Sequence, residues 1–383
     1  MRARPRDSDG ILVHREIRAL IEAGSIRAIP SVRGDQLQPA SLDLRLGEHA
    51  VRVRTGFLPE NAEIERKLED LALYRFDLRS GGVLEKGQIY LIPLAEEISL
   101  PEGVRARVNP KSSTGRLDLF TRIVLDRASR FDDLAPGASG RLWVEVAPRS
   151  FPVRVRTGTC LNQIRFFRGE CALDDAEVRA LYGRAPLLYD DRGRPLPAES
   201  VRFDGEGGIF LRIRLRGEGP VGFRAKPFSG IVDLDAVGAH DPADFWEPVF
   251  APRASLIVEP EAFYIFASRE RVVVPPDHAA EMLPYDVGIG ELRTNYAGFF
   301  DNGFGWNRGS NPGTRAILEV RAHDVPFLVE DGQVFFRLNY FRTTETPSVL
   351  YGDAEAGSSY ADQDLALSKH FRPFPSGPAS ATL

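Results

Sequence analysis

The sequence predicts a mainly β fold made of two tandem copies of one unit. Short runs such as QIYLIPL, VRARV, RLWVEV, QIRFF, GIFLRIRL, AFYIFAS and VFFRLNY alternate apolar residues with Arg or Glu, the two-residue period of a strand with one buried face. Gly and Pro turns separate these runs, while helix-period patterns are scarce, which points to a sandwich or barrel. An internal repeat supplies the second copy: Tyr90 and Tyr264 are 174 residues apart, and the same spacing relates Pro101 to Pro275, Pro110 to Pro284, Glu145-Val146 to Glu319-Val320, Gly158 to Gly332 and Phe167-Arg168 to Phe341-Arg342.

In chain order, DSDGILVHREIRALIEAG reads as a capped amphipathic helix. Asp or Ser caps it, Ile11, Ile17, Leu20 and Ile21 form the apolar face, and Gly24 ends it. ASLDLRLG near residue 43 opens the first copy and GIVDLDAVG near residue 233 the second. LDDAEVRALYG is a second helix, and the Pro- and Gly-rich APLLYDDRGRPLP after it marks a boundary. The expected domains are residues 1–185 and 200–383, the latter ending in a polar tail.

The 383 residues allow one large or two medium domains, and 43% apolar with 27% charged residues is a globular composition. A net charge of −5 argues against broad nucleic-acid binding, which needs a basic face, but permits a local pocket for a small polyanion. Cys160 and Cys171 make neither a disulfide framework nor a zinc pattern. With no apolar leader after MRARPRDSDG and no run long enough to span a membrane, a reducing, cytoplasmic setting is the expectation.

NPKSSTGRLDL, residues 109–119, is a poor recipe for a core strand or a helix. Two readings stand: a capped turn, or a loop whose amides and hydroxyls hold phosphate while Arg116 supplies a planar charged fork. At the repeat spacing Ser112, Ser113 and Arg116 become Asp286, Val287 and Gly290, a change of chemistry that suits a site kept in one copy. Glu145 is the lone acid of RLWVEV; a strand Glu usually faces solvent, but beneath a closed pocket desolvation would make it a general base. A zinc deaminase needs H-x-E followed by P-C-x-x-C; His14–Glu16 gives only the first half, and the other histidines lack ligand spacing. No G-x-S-x-G elbow is present. YGDAEAGSSYADQDLALSKHF fits either a frayed tail or a lid carrying Tyr351, Tyr360 and Gln363.

In this order, LQPASLDLRLG, PKSSTGRLDL, ASRFDDLAPGASGRLWVEV and SSYADQDLALSK resemble the dCTP deaminases of the trimeric dUTPase superfamily, in a double-length form. The resemblance covers most of residues 10–170 plus the tail. It implies that each copy is a dUTPase-like, distorted jelly-roll β-barrel with a few short helices, and that dCTP is hydrolysed to dUTP and ammonia. Ser112 and Arg116 match the phosphate and active-site loop, with Lys111, Ser113, Thr114 and Gly115 beside them. Glu145 matches the base that activates water at cytosine C4. Ala128 matches a residue positioning that water, Arg130 lies in the same turn, and Asp132 matches the acid near the deoxyribose. Tyr351, Tyr360 and Gln363 match the segment covering the triphosphate.

No zinc is implied; Mg²⁺ accompanies the triphosphate, dTTP is a possible feedback ligand, and the assembly is a homotrimer with sites shared between chains. Departures are three extra residues in DDLAPG, Ser359 where some relatives have lysine, and a tail that follows the second copy, which leaves Glu319 open as the base. The alternatives are an enzyme that carries dUTP on to dUMP, a dUTP pyrophosphatase, and a non-catalytic nucleotide-binding or structural barrel.

Overall fold

The computed structural model describes residues 9–284, 292–294, 298–306, 312–322 and 324–374. It is mainly β, and each half of the chain contributes two larger sheets, with a three-stranded sheet joining the halves and a two-stranded one in the second. In the first half, Ile89–Ser99 and Ser139–Pro148 lie at the centre of a six-stranded sheet with Ala72–Asp77, His49–Val53, Leu119–Val124 and Ile26–Ala28. Cys160–Arg168 and Val104–Pro110 centre the other sheet. In the second half, Phe263–Val272 pairs with Thr314–Ala322, and Val334–Arg342 with His278–Pro284.

The repeat holds at the level of register. Glu145 faces Leu91 across the ladder and Glu319 faces Ile265; Ile164 faces Val108 and Leu338 faces Met282. Each partner is displaced by the same spacing, so the alternation that buries one face of a strand buries its counterpart.

Three local expectations change. The first helix is His14–Glu22 and starts after Val13, without a side-chain cap. Ile11 is not on its apolar face, because Gly10–Ile11 is a strand paired with Phe167–Arg168. The KSSTG stretch is helical for one turn, Ser112–Gly115, with the amides of Thr114 and Gly115 donating to the Lys111 carbonyl. Ile64–Leu71, IERKLEDL, is a further helix, with Ile64 and Leu68 buried.

The two halves share a core. Val153–Val155 pairs in parallel with Val232–Asp233, and Phe151 sits 5.7 Å from Phe245 and 5.2 Å from Trp246, ring centre to ring centre. Phe371 of the tail joins this aromatic group. Burying each such ring contributes roughly 1.5–3 kcal/mol, which fixes the tail against both halves. The helix Asp175–Arg184, capped by Asp174, packs Val178, Leu181 and Tyr182 into the second half's core with Ile209, Leu338 and Tyr340.

Candidate active site

A cavity of about 450 Å³ opens where the halves meet, within the size range of small-ligand sites. The turn 110–117 forms one wall, residues 298–304 with Ile317 and Glu319 the opposite wall, and residues 357–370 the roof. Strand Val104–Pro110 feeds the turn and Thr114 pins it, its hydroxyl donating to the Leu161 carbonyl at 2.8 Å. Ser112 lines the cavity; Ser113 is buried. Lys111 forms an ion pair with Asp43, whose carboxyl burial pushes upward and Lys111 pulls back.

Arg116 is almost fully buried, and the tail surrounds it. It donates to the Gln363 side-chain oxygen at 2.6 Å and to the Ala366 carbonyl at 3.1 Å, and its guanidinium lies 3.8 Å from the Tyr360 ring centre. Gln363 donates in turn to the Arg315 carbonyl at 2.8 Å. Tyr351 lines the same cavity, its ring 5.5 Å from that of Phe304.

Glu319 comes from Thr314–Ala322 of the second half and is 8% exposed. Among the described residues no cation lies within ion-pair distance of it. Burial pushes its carboxyl up to about 8, against the pull of Arg116 and with the help of Asp118. Gly115 makes the approach possible: a Cβ there would sit 2.5 Å from a Glu319 carboxylate oxygen. A buried carboxyl of this kind, next to an arginine and titrating near neutral pH, can take up and return protons.

Glu145 sits elsewhere. It is buried on Ser139–Pro148 and does not line this cavity. Arg122 on the neighbouring strand donates to it, Nε at 3.1 Å, and Arg122 itself lies 3.7 Å from the Phe131 ring centre. Gly56 packs directly against the carboxylate. Phe57, Leu58, Ile64 and Leu68 close the same region, packed with Leu91, Val124 and Trp143. The Ala128 carbonyl accepts from the Glu60 amide at 3.1 Å, and Arg130 is exposed, 3.9 Å from Asp133. Asp132 accepts from the Ile123 amide at 2.7 Å, and burial raises its carboxyl to about 7.

The expected site residues therefore divide into two groups within the chain. Lys111 to Arg116, Tyr351, Tyr360, Gln363 and Glu319 line or border one cavity, whereas Ala128, Arg130, Asp132 and Glu145 belong to the first half and do not line it; Glu145 is buried and Arg130 exposed. Within the single chain Glu145 does not meet the phosphate turn, and Gly56, Phe57, Leu58, Ile64 and Leu68 pack in front of it. Asp286, Val287 and Gly290 lie outside the described residues.

Cavity residues that the sequence did not single out are Asp43, Cys160, Phe299, Asp301, Lys369 and His370. Asp301 accepts from Arg165 at 2.7 Å, and Arg165 lies 4.1 Å from the Phe299 ring centre. Their signal was weak: Arg165 alternates with apolar residues like any strand arginine, and its partner is 136 positions away.

A cleft lined by a buried carboxyl raised to about 8, a buried arginine and a polar roof can bind an anionic small molecule and exchange protons beside it in a mainly β protein. Comparison with known proteins narrows the class. Residues 8–170 match the family model of the 2'-deoxycytidine 5'-triphosphate deaminase (DCD) N-terminal domain, and residues 174–371 that of the DCD C-terminal domain. The chain belongs to the dCTP deaminase family and is an enzyme of that type.

Among its relatives is a dUMP-forming dCTP deaminase of Parafrankia sp., 31% identical over 194 residues, covering 50% of this chain and 91% of the relative. A dCTP deaminase of Sulfurisphaera tokodaii is 29% identical over 158 residues, 41% of this chain and 79% of the relative. The crystal structure of 2'-deoxycytidine 5'-triphosphate deaminase from Agrobacterium tumefaciens superposes with a TM-score of 0.81 at 45% identity, covering 89% of this chain and all of that one. The chain is about twice the usual family length, as a tandem duplication requires.

Proposed function

We propose that the chain hydrolyses dCTP to dUTP and ammonia at the cavity between its halves, with Glu319 as the general base. The observation that carries this is the Glu319 carboxyl, raised to about 8 by burial, resting against the turn that bears Ser112 and Arg116. Glu319 removes a proton from water as its oxygen adds to C4 of cytosine. That proton passes to N3; the same carboxyl then carries the second water proton from the C4 hydroxyl to the amino group, the C4–N4 bond breaks, the C4 carbonyl forms, and ammonia leaves. Proton shuttling of this kind contributes roughly 10²–10⁴-fold; Arg116 and the amides of the turn supply electrostatic stabilisation.

Ser112 and Arg116 hold the nucleotide, and Tyr351, Tyr360 and Gln363 cover it. Mg²⁺ bound to the triphosphate would neutralise phosphate charge.

On this reading each unit is a distorted jelly-roll barrel, the first unit ending before Cys171 and the helix Asp175–Arg184 opening the second. The turn and the carboxylate come from different units of one chain, so a second chain is not needed to unite Ser112, Arg116 and Glu319. A homotrimer remains the proposed assembly, and dTTP a proposed competitor in the same cavity.

Relatives named as dUMP-forming favour a second reading, in which dUTP is hydrolysed further. Incubation with dCTP and Mg²⁺, quantifying ammonia, dUTP, dUMP and pyrophosphate, separates the two. Ammonia with dUTP is the expected result. Ammonia with dUMP and pyrophosphate establishes the second reading, and absence of ammonia refutes both.

A further inference from the structure

The strand that carries Glu319 is held at both ends of one face. Along Thr314–Ala322 the side chains of Arg315, Ile317, Glu319 and Arg321 project to the same side. Ile317 and Glu319 line the cavity. Arg315, at one end, pairs with Asp191, and with Asp364 of the tail at 2.5 Å. Arg321, at the other end, crosses to the first half and pairs with Asp118, two residues beyond Arg116.

Asp118 and Arg321 are both buried, Asp118 completely. The Ser150 hydroxyl donates at 2.7 Å to the same Asp118 oxygen that accepts from Arg321. Burial pushes the Asp118 carboxyl up, and Arg321 and Ser150 pull it back. Such a pair tolerates burial only with both charges and their hydrogen bonds in place; removing either partner leaves an uncompensated charge inside. Asp118 also holds a left-handed backbone conformation, φ 53°, which is uncommon for a residue with a side chain.

The backbone links this pair to the base. The Asp118 amide donates to the Gly115 carbonyl at 2.8 Å, and the Asp118 carbonyl accepts from the Arg149 amide at 3.0 Å. Gly115 is the residue against which the Glu319 carboxylate rests. The turn therefore meets strand Thr314–Ala322 at two adjoining points, Gly115 against Glu319 and Asp118 against Arg321. Burial raises the Glu319 carboxyl first; of the charges acting on it, Arg116 opposes the rise and Asp118 adds to it. No step of the proposed reaction uses Asp118, Ser150 or Arg321.

We propose that Asp118, locked to Arg321 and Ser150, is a positioning residue that sets how the Glu319 carboxylate seats against the phosphate turn. This rests on the deaminase reading with Glu319 as base, yet its test can fail independently. Glu319 titration is read as the carboxyl infrared band that Glu319→Gln removes, in wild-type and Asp118→Asn backgrounds, and dCTP kinetics are followed by ammonia release. Asp118→Asn keeps the shape, removes a negative charge beside Glu319 and leaves Arg321 without that counter-charge. Both changes favour the ionised base, so the midpoint should fall by about one pH unit. The acid limb of kcat/KM should move down with it. Loss of the seat should lower kcat about tenfold to a hundredfold, with KM for dCTP within about threefold because no phosphate ligand is altered.

An unmoved Glu319 midpoint overturns the proposal, and so does a kcat within about threefold of wild type. A merely structural pair would lower the melting temperature and leave midpoint and acid limb where they are. If Asp118→Asn does not fold, Arg321→Lys decides. It keeps the charge but loses the planar fork, so kcat should fall about tenfold with KM retained; a wild-type kcat overturns the proposal. If the wild-type chain releases no ammonia, the deaminase reading falls and the infrared midpoint alone decides the role of Asp118.

Discussion

Glu319→Gln tests the proposed chemistry most sharply, because the structure predicts opposite effects on activity and stability. Folding moves this carboxyl from an ordinary 4.5 to about 8. A raised carboxyl binds its proton more tightly in the folded state, so its cost is absent below about 4.5, grows as pH rises, and is complete above about 8. At about 1.4 kcal/mol per pH unit the full cost is on the order of 5 kcal/mol. Glutamine carries no such cost, so Glu319→Gln should melt higher than wild type at pH 8 and at nearly the same temperature at pH 5. Its kcat should fall by roughly 10³-fold or more, the upper part of the range for lost proton transfer, while dCTP still binds. For the wild type, kcat/KM should climb with pH up to about 8 as Glu319 ionises.

Glu145→Gln is the matched control. It weakens a buried pair with Arg122, costs about 1–3 kcal/mol of stability, and leaves kcat within about threefold. Stopped ammonia assays and melting curves at both pH values read all of this. Turnover by Glu319→Gln together with an inactive Glu145→Gln would refute the assignment.

Two further outcomes follow from the same geometry. Gly115→Ala places a methyl 2.5 Å from the Glu319 carboxylate, and because a misplacement of about 1 Å can cost roughly 10²-fold, kcat should drop by about that factor with dCTP affinity retained; an unchanged kcat would show that the carboxylate needs no such approach. Calorimetry of dCTP on the Glu319→Gln chain should give one nucleotide per chain, since residues 54–71 close the face in front of Glu145; two per chain would mean that this face opens.

Most of the fold was legible because its signal is local. Alternation along a strand determines which side chains are buried, and the repeated spacing carried the register of one half onto the other. The failures were also physical. Val13 begins a helix with no side-chain cap to announce it, and Ile11, periodic with that helix, was taken by pairing with Phe167. The short helix Ile64–Leu71 is mostly charged; its burial among Trp143 and Leu91 and the Asp126 carboxylate that accepts from the Ile64 amide at 2.7 Å hold it. The helix Asp175–Arg184 followed the first unit in sequence but buries its apolar face in the second.

The site was legible where composition is unusual and opaque where it depends on what covers a residue. The phosphate turn and the Tyr and Gln of the tail stood out, and they meet around Arg116. Glu145 and Glu319, by contrast, occupy the same register on equivalent strands, so no local property separates them. Their fates diverge through distant chain: Arg122 and residues 54–71 neutralise and seal one, while the turn of the other unit and the tail leave the second buried but facing a cavity. Duplication makes this division possible. Under the proposed function, one copy keeps the phosphate turn and the other the base, while Glu145, paired with Arg122, serves the packing of the first half.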